Sequence, residues 1–297
     1  MDRDEVYMEI QLNNLCPLNL DFTLCCGQTF RWNKQGGWWY GAVGEKVIKI
    51  RQIGNELEFE NVEMDFVKNY FGLYDDLSKI SSQISKDEHI KRAVEAFKGL
   101  RILRQDPWEC LISYICATYK NISAIKLMLL NLSKKFGDKI YFDGYDFYRF
   151  PAPERLAKAT AEELAKCGLG YRAKYVSETA KAVYENGFEV ESLRKLSYEK
   201  AKEELLNFSG VGLKVADCVL LFSLGKLEAF PVDVWIKRVI LKYYESYFPN
   251  EFIRKISGKK SLTSSEYKEL NLFGQRYFGD YAGYAQEYLY HYERAKR

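Results

Sequence analysis

Three side chains in the segment 205–240 have types and spacing that suit catalysis. Lys214 lies in the first turn of a predicted helix, and Cys218 follows four residues later on the same helical face. Asp233 comes nineteen residues after Lys214, where a preceding proline predicts a helix start that its carboxylate would cap. A lysine amine can act as a covalent nucleophile, and a carboxylate can stabilise a developing positive charge. Taken singly, each residue is more common as a surface lysine, a buried cysteine or a capping aspartate.

A glycine-rich turn precedes Lys214. Gly210, Val211 and Gly212 separate two predicted helices, and glycines on both sides of the valine allow the backbone to turn tightly. The exposed backbone N–H groups would lie at the N-terminus of the second helix, where they suit a DNA phosphate. A plain corner between two helices has the same local pattern, so the turn alone leaves both interpretations open.

Five segments in order along the chain resemble the 8-oxoguanine DNA glycosylases of the helix-hairpin-helix superfamily. The turn and the following helix have the pattern GVG-x-K-x-x-D-C, followed by PVD. The other four segments are 26–32 (CGQTFRW), 103–110 (LRQDPWEC), 168–175 (GLGYRAKY) and 281–286 (YAGYAQ). The resemblance covers nearly the whole chain. It implies a bifunctional base-excision-repair enzyme that removes 8-oxoguanine from duplex DNA and then cleaves the strand.

The resemblance also implies catalytic roles. Lys214 would attack C1′ of the flipped nucleotide, expel the base and form a Schiff base that permits β-elimination. Asp233 would stabilise the oxocarbenium-like charge and cap its helix. The family needs no metal ion or organic cofactor for this chemistry, although a monovalent cation held by carbonyl groups of the hairpin is possible by analogy.

Five residues would form the base pocket by the same resemblance. The Gly27 carbonyl would accept the N7–H that 8-oxoguanine has and guanine lacks. Gln286 would read the Watson–Crick edge, and Cys218 and Tyr290 would pack on the two faces of the base. Pro231 is expected to contact the pocket as well. Each of these residues, seen alone, is more often simply buried.

The DNA-binding residues implied by the resemblance lie in two places. Tyr171 would insert beside the lesion, and Arg172 would face the opposite strand. Lys237, together with Lys174 and Arg238, would form a local basic face that the overall charge conceals. A solvated surface is an equally common explanation for such basic residues.

The chain departs from the family pattern where the opposite base is read. Eukaryotic members have three consecutive asparagines where this chain has Tyr119, Lys120 and Asn121, and an arginine where it has Ala124. Tyr119 cannot reproduce the amide pattern that binds the estranged cytosine. We therefore predict a weaker preference for cytosine opposite the lesion. Trp235 replaces a histidine of those members, and its role stays open between a phosphate contact and a core position.

Other members of the superfamily and a non-catalytic protein are the alternatives. Endonuclease III-like and adenine glycosylases usually have a four-cysteine iron–sulfur loop, but no such spacing follows Cys218. Alkyl-purine glycosylases generally lack the hairpin lysine that Lys214 matches. A DNA-binding module without activity would not need Lys214, Cys218 and Asp233 together. Formamidopyrimidine lesions also have an N7-type donor, so a substrate range beyond 8-oxoguanine stays open.

The elements that must position these residues divide the chain into a β-rich start and a helical remainder. Strands are predicted at 22–32, 38–44, 46–54 and 55–62, with turns at glycines between them. From about residue 84 onward the apolar spacing is helical almost throughout. The predicted helices are 86–98, 107–118, 121–136, 153–166, 171–186, 198–207, 213–224, 233–243, 263–277 and 281–295.

We therefore expect an α+β fold, with a small N-terminal antiparallel β domain followed by a two-lobed all-helical body containing the helix-hairpin-helix motif. The expected domains are 1–83 for the β-rich part and 99–197 for the first helical lobe. The catalytic helix-hairpin-helix domain would combine 84–98 with 198–297.

The composition limits the possible classes of protein. Of the 297 residues, 47% are apolar and 29% are charged, which is ordinary for a folded soluble protein. A net charge of +3 neither indicates nor excludes nucleic-acid binding. The chain has only two histidines, which argues against a multi-histidine metal site. Seven cysteines without a C-x-x-C pair predict reduced thiols. We expect a cytoplasmic, nucleoid-associated monomer of a prokaryote that binds double-stranded DNA and no membrane.

Overall fold

The fold begins with a five-stranded antiparallel sheet in the order β1-β5-β4-β3-β2. The structure is a computed structural model that describes residues 7–12 and 17–296. The strands are β1 (Met8–Gln11), β2 (Trp32–Gln35), β3 (Trp38–Val43), β4 (Lys46–Ile53) and β5 (Glu56–Glu60). Cys16, one of the seven cysteines, lies outside the described residues; the six cysteines within them are free thiols.

One face of this sheet is covered by two short helices, α1 (Leu20–Cys25) and α2 (Met64–Tyr70). Alternate residues of the central strands, such as Ile48 and Ile50, are buried in the resulting core. The strand predicted over 22–32 is therefore wrong except at its last residue, because residues 22–25 belong to α1, residues 26–31 form a loop and β2 starts at Trp32. Asn19 accepts a hydrogen bond from the Phe22 N–H and starts a helix there, so capping outweighs the β propensity of the segment.

The rest of the chain is helical, apart from one hairpin. The helices are α3 (Leu77–Ile84), α4 (Glu88–Ala96), α5 (Pro107–Ala117), α6 (Ile122–Phe136), α7 (Pro153–Lys158), α8 (Ala161–Leu164), α9 (Arg172–Asn186), α10 (Val190–Lys195), α11 (Tyr198–Leu206), α12 (Leu213–Phe222), α13 (Val234–Tyr243), α14 (Asn250–Ser257), α15 (Ser264–Phe278) and α16 (Ala282–Ala295). A single turn of π-helix (Ala165–Leu169) joins α8 to the loop before α9. The predicted α+β fold with its N-terminal antiparallel sheet is confirmed.

Most of the predicted helices match observed ones within a few residues, but the pattern had three faults. The segment 153–166 is broken into α7 and α8, because Thr160 and Glu163 form a capping box that starts a second helix. The helices α3, α10 and α14 were not predicted. A two-stranded hairpin, β6 (Lys139–Phe142) and β7 (Tyr145–Tyr148), interrupts the region predicted to be helical.

The loop 26–30 joins the two parts of the molecule. The core under the sheet collects residues from Ile10 to Leu73, together with Leu103. Cys26 and Phe30 instead belong to the helical core, which continues as far as Leu289 in α16. The segment that contains Gly27 is thereby packed against the helices rather than the sheet. Across the described residues, every helix is too short or too polar to cross a membrane.

Candidate active site

A cavity of about 740 Å³ lies where the loop 26–30, the turn before α12, the start of α13 and the helix α16 meet. Twelve of the predicted site residues line it, namely Gly27, Tyr119, Asn121, Gly210, Gly212, Lys214, Cys218, Pro231, Asp233, Lys237, Gln286 and Tyr290. Trp235 lines it as well. Val211, Tyr171 and Arg172 do not. Residues that are distant in the chain, but matched one family pattern, therefore surround one cavity.

The turn between α11 and α12 brings Lys214 to the cavity. Gly210 has φ of +78°, and a β-carbon there would lie 2.6 Å from Cβ of Tyr175, so the turn needs glycine at this position. The Lys214 Nζ atom lies 4.8 Å from the centre of the Tyr114 ring. It also interacts with the Cys218 thiol, which lies one helical turn further along α12. The amine is half-buried and points into the cavity next to two neutral groups.

The Cys218 thiol forms an uncharged part of the wall. Its burial raises its pKa to about 12, and the charge of Lys214 opposes that rise only in part. A neutral, polarizable sulfur suits contact with the face of a flat ring.

Asp233 faces the same cavity from the start of α13. Its carboxylate accepts hydrogen bonds from the backbone N–H groups of Trp235 at 2.9 Å and Ile236 at 2.8 Å, so it caps the helix as predicted. Burial raises the pKa of this carboxyl, while these N–H groups and the charge of Lys214 act in the opposite direction. The cap holds the carboxylate in one position near the lysine, where it can stabilise positive charge at a bound substrate.

Gly27 is held in place by its neighbour Gln28. The Gln28 side chain is completely buried and donates to the carbonyls of Arg101 at 2.8 Å and Thr23 at 3.0 Å. Its oxygen accepts from the Leu103 N–H at 2.8 Å. Gly27 itself has φ of +111°, a conformation that strongly favours glycine. The amide network therefore anchors a strained turn, and with it the Gly27 carbonyl, at the edge of the cavity.

The helix α16 supplies the opposite wall. Gln286 is 4% exposed, and its Oε1 has no hydrogen-bond partner among the described residues. Tyr290 follows four residues later, and Arg294 donates to its hydroxyl at 3.1 Å and to the Cys25 carbonyl at 2.8 Å. An unpaired buried amide oxygen that faces a cavity is suited to a ligand with N–H donors.

The sequence did not single out Glu287, which also lines this wall. It is 2% exposed, and burial raises its pKa to about 7. The sequence feature that could have pointed to Glu287 is that it is the one acidic residue in the segment 281–292, which consists mainly of aromatic and small residues. Tyr114, which underlies Lys214, was also missed, since a tyrosine within a strongly apolar helix looks like an ordinary core residue.

Two predicted DNA-contacting aromatic residues are exposed. Tyr171 is 56% exposed at the start of α9, and Tyr119 is 77% exposed with φ of +55°, at the rim of the cavity. Asn121 accepts a hydrogen bond from the Ala124 N–H at 2.9 Å and caps α6. In this structure the Asn121 side chain therefore serves the helix.

Arg172 and Lys237, which were predicted to contact DNA, are buried in this structure, and their contact with DNA stays a prediction. Arg172 is buried, and its guanidinium donates to the Thr118 carbonyl and lies 4.4 Å from the centre of the Tyr171 ring. Lys237 is buried as well; its ammonium donates to the Lys259 carbonyl at 2.6 Å, and burial lowers its pKa. Both side chains find backbone carbonyl acceptors inside the protein. Arg238 stays exposed beside them.

A buried ionic network holds α12 in place. Asp217 is completely buried and accepts hydrogen bonds from the hydroxyls of Tyr198 and Tyr267 at 2.5 Å each, and from Lys202 and Asn271 at 2.9 and 3.1 Å. These partners lie on α11 and α15. The network therefore connects α11, α12 and α15, and Asp217 lies three residues after Lys214 in α12.

The predicted monovalent cation stays a prediction. Two of the hairpin carbonyls have partners within the protein: Phe208 O accepts from the Val211 N–H at 3.1 Å, and Ser209 O accepts from the Thr179 hydroxyl at 2.8 Å. A carbonyl oxygen has two lone pairs, so each retains one for a further ligand.

Two family descriptions match successive parts of the chain. Residues 10–111 match the N-terminal domain of 8-oxoguanine DNA glycosylase, and residues 112–247 match the HhH-GPD superfamily of base excision DNA repair proteins. The N-glycosylase/DNA lyase OGG1 of Arabidopsis thaliana is 33% identical over 301 residues, which cover 92% of this chain and 76% of that protein. The chain belongs to the 8-oxoguanine DNA glycosylase family.

The solved structures agree with this family membership. The Clostridium acetobutylicum 8-oxoguanine glycosylase/lyase, in a complex with double-stranded DNA containing cytosine opposite 8-oxoguanine, is 34% identical with a TM-score of 0.86, over 98% of both chains.

A yeast relative from Saccharomyces cerevisiae, named N-glycosylase/DNA lyase, is 36% identical over 65% of this chain and 56% of its own length. The chain is thus an enzyme of the bifunctional glycosylase and DNA lyase class, as the sequence predicted.

Proposed function

We propose that the protein excises 8-oxoguanine from duplex DNA through attack of Lys214 and then nicks the strand by β-elimination. The observation that carries the proposal is that the Lys214 amine, the Asp233 carboxylate and the Gly27 turn line one cavity. The similarity to glycosylase/lyase structures bound to DNA supports the choice of a duplex substrate.

The chemistry needs only groups of the chain and the nucleotide. The Lys214 Nζ lone pair bonds to C1′, the C1′–N9 bond breaks and its electron pair leaves with the base. Opening of the C1′–O4′ bond then gives the Schiff base, and of the two protons that the neutral amine loses, one goes to the departing base and the other to O4′. Loss of a C2′ proton expels the 3′ phosphate and breaks the strand. Asp233, fixed at the N-terminus of α13, stabilises the positive charge that develops at C1′ before the amine bonds.

The base is selected after it leaves the stack. The Gly27 carbonyl accepts the N7–H of 8-oxoguanine, whereas guanine would place its N7 lone pair against that carbonyl without a proton between them. Cys218 and Tyr290 lie on the two faces of the ring. The unpaired Gln286 oxygen accepts from the Watson–Crick edge, and Pro231 closes the pocket.

The DNA strand is held by the turn and by exposed aromatic residues. The N–H groups of the Gly210–Gly212 turn bind a phosphate, and Tyr171 inserts beside the lesion to keep the duplex kinked. Tyr119 lies at the rim, where eukaryotic members carry an amide, and offers an aromatic face of no particular base preference. The opposite-base preference is therefore relaxed.

The direct test is product analysis with a duplex that contains one 8-oxoguanine. Free 8-oxoguanine measured by mass spectrometry reports the glycosylase step, and strand scission on a denaturing gel reports the lyase step. We expect both products from the wild type and neither from Lys214→Gln. Intact duplexes containing guanine or 3-methyladenine serve as substrate controls. Failure of the wild type to release 8-oxoguanine would overturn the proposal.

A further inference from the structure

The buried carboxyl group of Glu287 faces the proposed base pocket without a full set of partners. The residue is 2% exposed and lines the cavity. Within the described part of the chain, its Oε1 atom has no hydrogen-bond partner. A buried polar atom in this state costs free energy unless a ligand or a proton satisfies it. The carboxyl group is thus arranged for something that occupies the cavity.

Groups from the loop 26–30, α12 and α13, and from its own helix α16, surround Glu287. The Cys26 thiol of the loop 26–30 lies close enough to interact with the carboxyl group. The charges that act on it are those of Arg294 on its own helix, Asp233 at the start of α13 and Lys214 on α12. Burial is the largest influence and raises the pKa of Glu287 to about 7, while Asp233 raises it further and Arg294 and Lys214 lower it. Both the neutral and the ionised form are therefore present near neutral pH.

The position of Glu287 relative to the base follows from its neighbours, and this step rests on the proposed function. Gly27, next to Cys26, is assigned to the N7 side of the base, and Gln286, next to Glu287, to the N1 and N2 side. In a purine ring the 6-position lies between N7 and N1. Glu287 follows Gln286 in α16, lines the same cavity and interacts with Cys26 beside the Gly27 turn, so its carboxyl group would face the substituent at C6.

We propose that Glu287 in its neutral form donates a hydrogen bond to O6 of the flipped 8-oxoguanine. A protonated carboxyl group has one O–H donor, whereas a carboxylate only accepts. The ionised form would place an acceptor against the O6 acceptor and weaken binding. An amino group at C6 reverses this relation, because its N–H bonds suit the carboxylate.

The test compares two lesions in the wild type and in Glu287→Gln across pH 6 to 8.5. The lesions are 8-oxoguanine and 8-oxo-2,6-diaminopurine, in which an amino group replaces O6. The measurement is the single-turnover rate, with enzyme in excess over DNA but below saturation. Glutamine at this position can donate or accept at every pH. The ratio of the wild-type rate to the Glu287→Gln rate removes those effects of pH that the two proteins share.

For 8-oxoguanine we expect this ratio to fall as the pH rises, by about tenfold per pH unit once most of Glu287 is ionised. For the diaminopurine lesion we expect the ratio to rise with pH. The matched control is Glu293→Gln on the same helix, whose carboxylate pairs with Lys242 and Lys296 away from the cavity. This control should keep the wild-type profile with both lesions.

Parallel profiles for the two lesions, or an 8-oxoguanine profile that Glu287→Gln leaves unchanged, would overturn the proposed role of Glu287. If Glu287→Gln does not fold, the opposite trends of the two lesions in the wild type decide the matter alone. Absence of 8-oxoguanine release at every pH would instead defeat the proposed function itself.

Discussion

Single residues carry most of the chemistry, and Gly27 shows how closely backbone and function are connected. A β-carbon at this position would lie 2.7 Å from the Arg294 guanidinium and 3.1 Å from Ile122 Cδ1, in addition to the strain of φ at +111°. The two side chains can move aside, but the positive φ strains any other residue, so we expect a substitution to displace the carbonyl that is proposed to receive N7–H. The Gln28 amide, with its buried partners, secures the same turn from behind.

Gly27→Ala is expected to reduce 8-oxoguanine excision about 10- to 100-fold, because the displaced carbonyl leaves the N7–H unpaired in the pocket. Single-turnover excision at saturating enzyme measures the effect. Gly258→Ala is the matched control, since Gly258 has no positive φ and open space around its notional β-carbon. Equal rates for Gly27→Ala and the wild type would remove the Gly27 carbonyl from recognition.

The sequence predicted which residues form the site better than it predicted the burial and the hydrogen-bond partners of those residues. Lys214, Asp233 and Gln286 were found through short motifs, and all three line the cavity. Glu287 was not found, because an acidic residue on a helix is usually exposed and its burial depends on distant chain segments. The burial of Arg172 was missed for a similar reason: its acceptor, the Thr118 carbonyl, is 54 residues away.

At the scale of elements, the helix α12 depends on the buried ionic network of Asp217. Its sequence signal is a single charged residue inside the apolar run 215–222. The carboxylate receives hydrogen bonds from α11 and α15, which fixes α12 and the turn before it. The position of Lys214 therefore depends on a residue that does not line the cavity.

Asp217→Ala is expected to lower the free energy of unfolding by about 3–5 kcal/mol, because it leaves the Lys202 ammonium buried without its partner. Chemical denaturation followed by circular dichroism measures this loss. The exposed pair of Glu154 and Lys158 offers the control, and Glu154→Ala should change stability little. A similarly small change for Asp217→Ala would contradict the structural importance of the network.

Element types were predictable where local capping and apolar spacing agreed. Asp106 before Pro107 predicted the start of α5, and Asp106 accepts from the Glu109 N–H at 2.8 Å. The hairpin at Asp143 and Gly144 was missed, although this dipeptide is a known turn signal, because helical patterns surround it. The strand expected over 22–32 failed where Asn19 caps a helix instead.

At the scale of the whole molecule, the net charge of +3 conveys little about function. The site depends on the meeting of the loop 26–30 with three helices, and the exposed aromatic residues Tyr119 and Tyr171 lie outside the cavity's interior. No sequence pattern predicts such a meeting by itself; the family resemblance supplied it. Both DNA strands would contact this surface, so opposite-base preference is a property of the whole surface.

We expect excision of 8-oxoguanine opposite adenine at a rate within about tenfold of that opposite cytosine, since Tyr119 and Ala124 lack the groups that would bind cytosine specifically. Excision measured with all four opposite bases under single-turnover conditions checks this. A cytosine preference of several hundredfold would show that other residues read the opposite base.

The central claim, that the Lys214 amine is the nucleophile, is tested most directly by borohydride trapping. Reduction of the Schiff base during reaction with an 8-oxoguanine duplex should join protein and DNA covalently, and peptide mapping should locate the bond at Lys214. The account predicts a trapped complex from the wild type and none from Lys214→Gln. A trapped complex that persists in Lys214→Gln, or its absence from a wild type that releases the base, would contradict the claim.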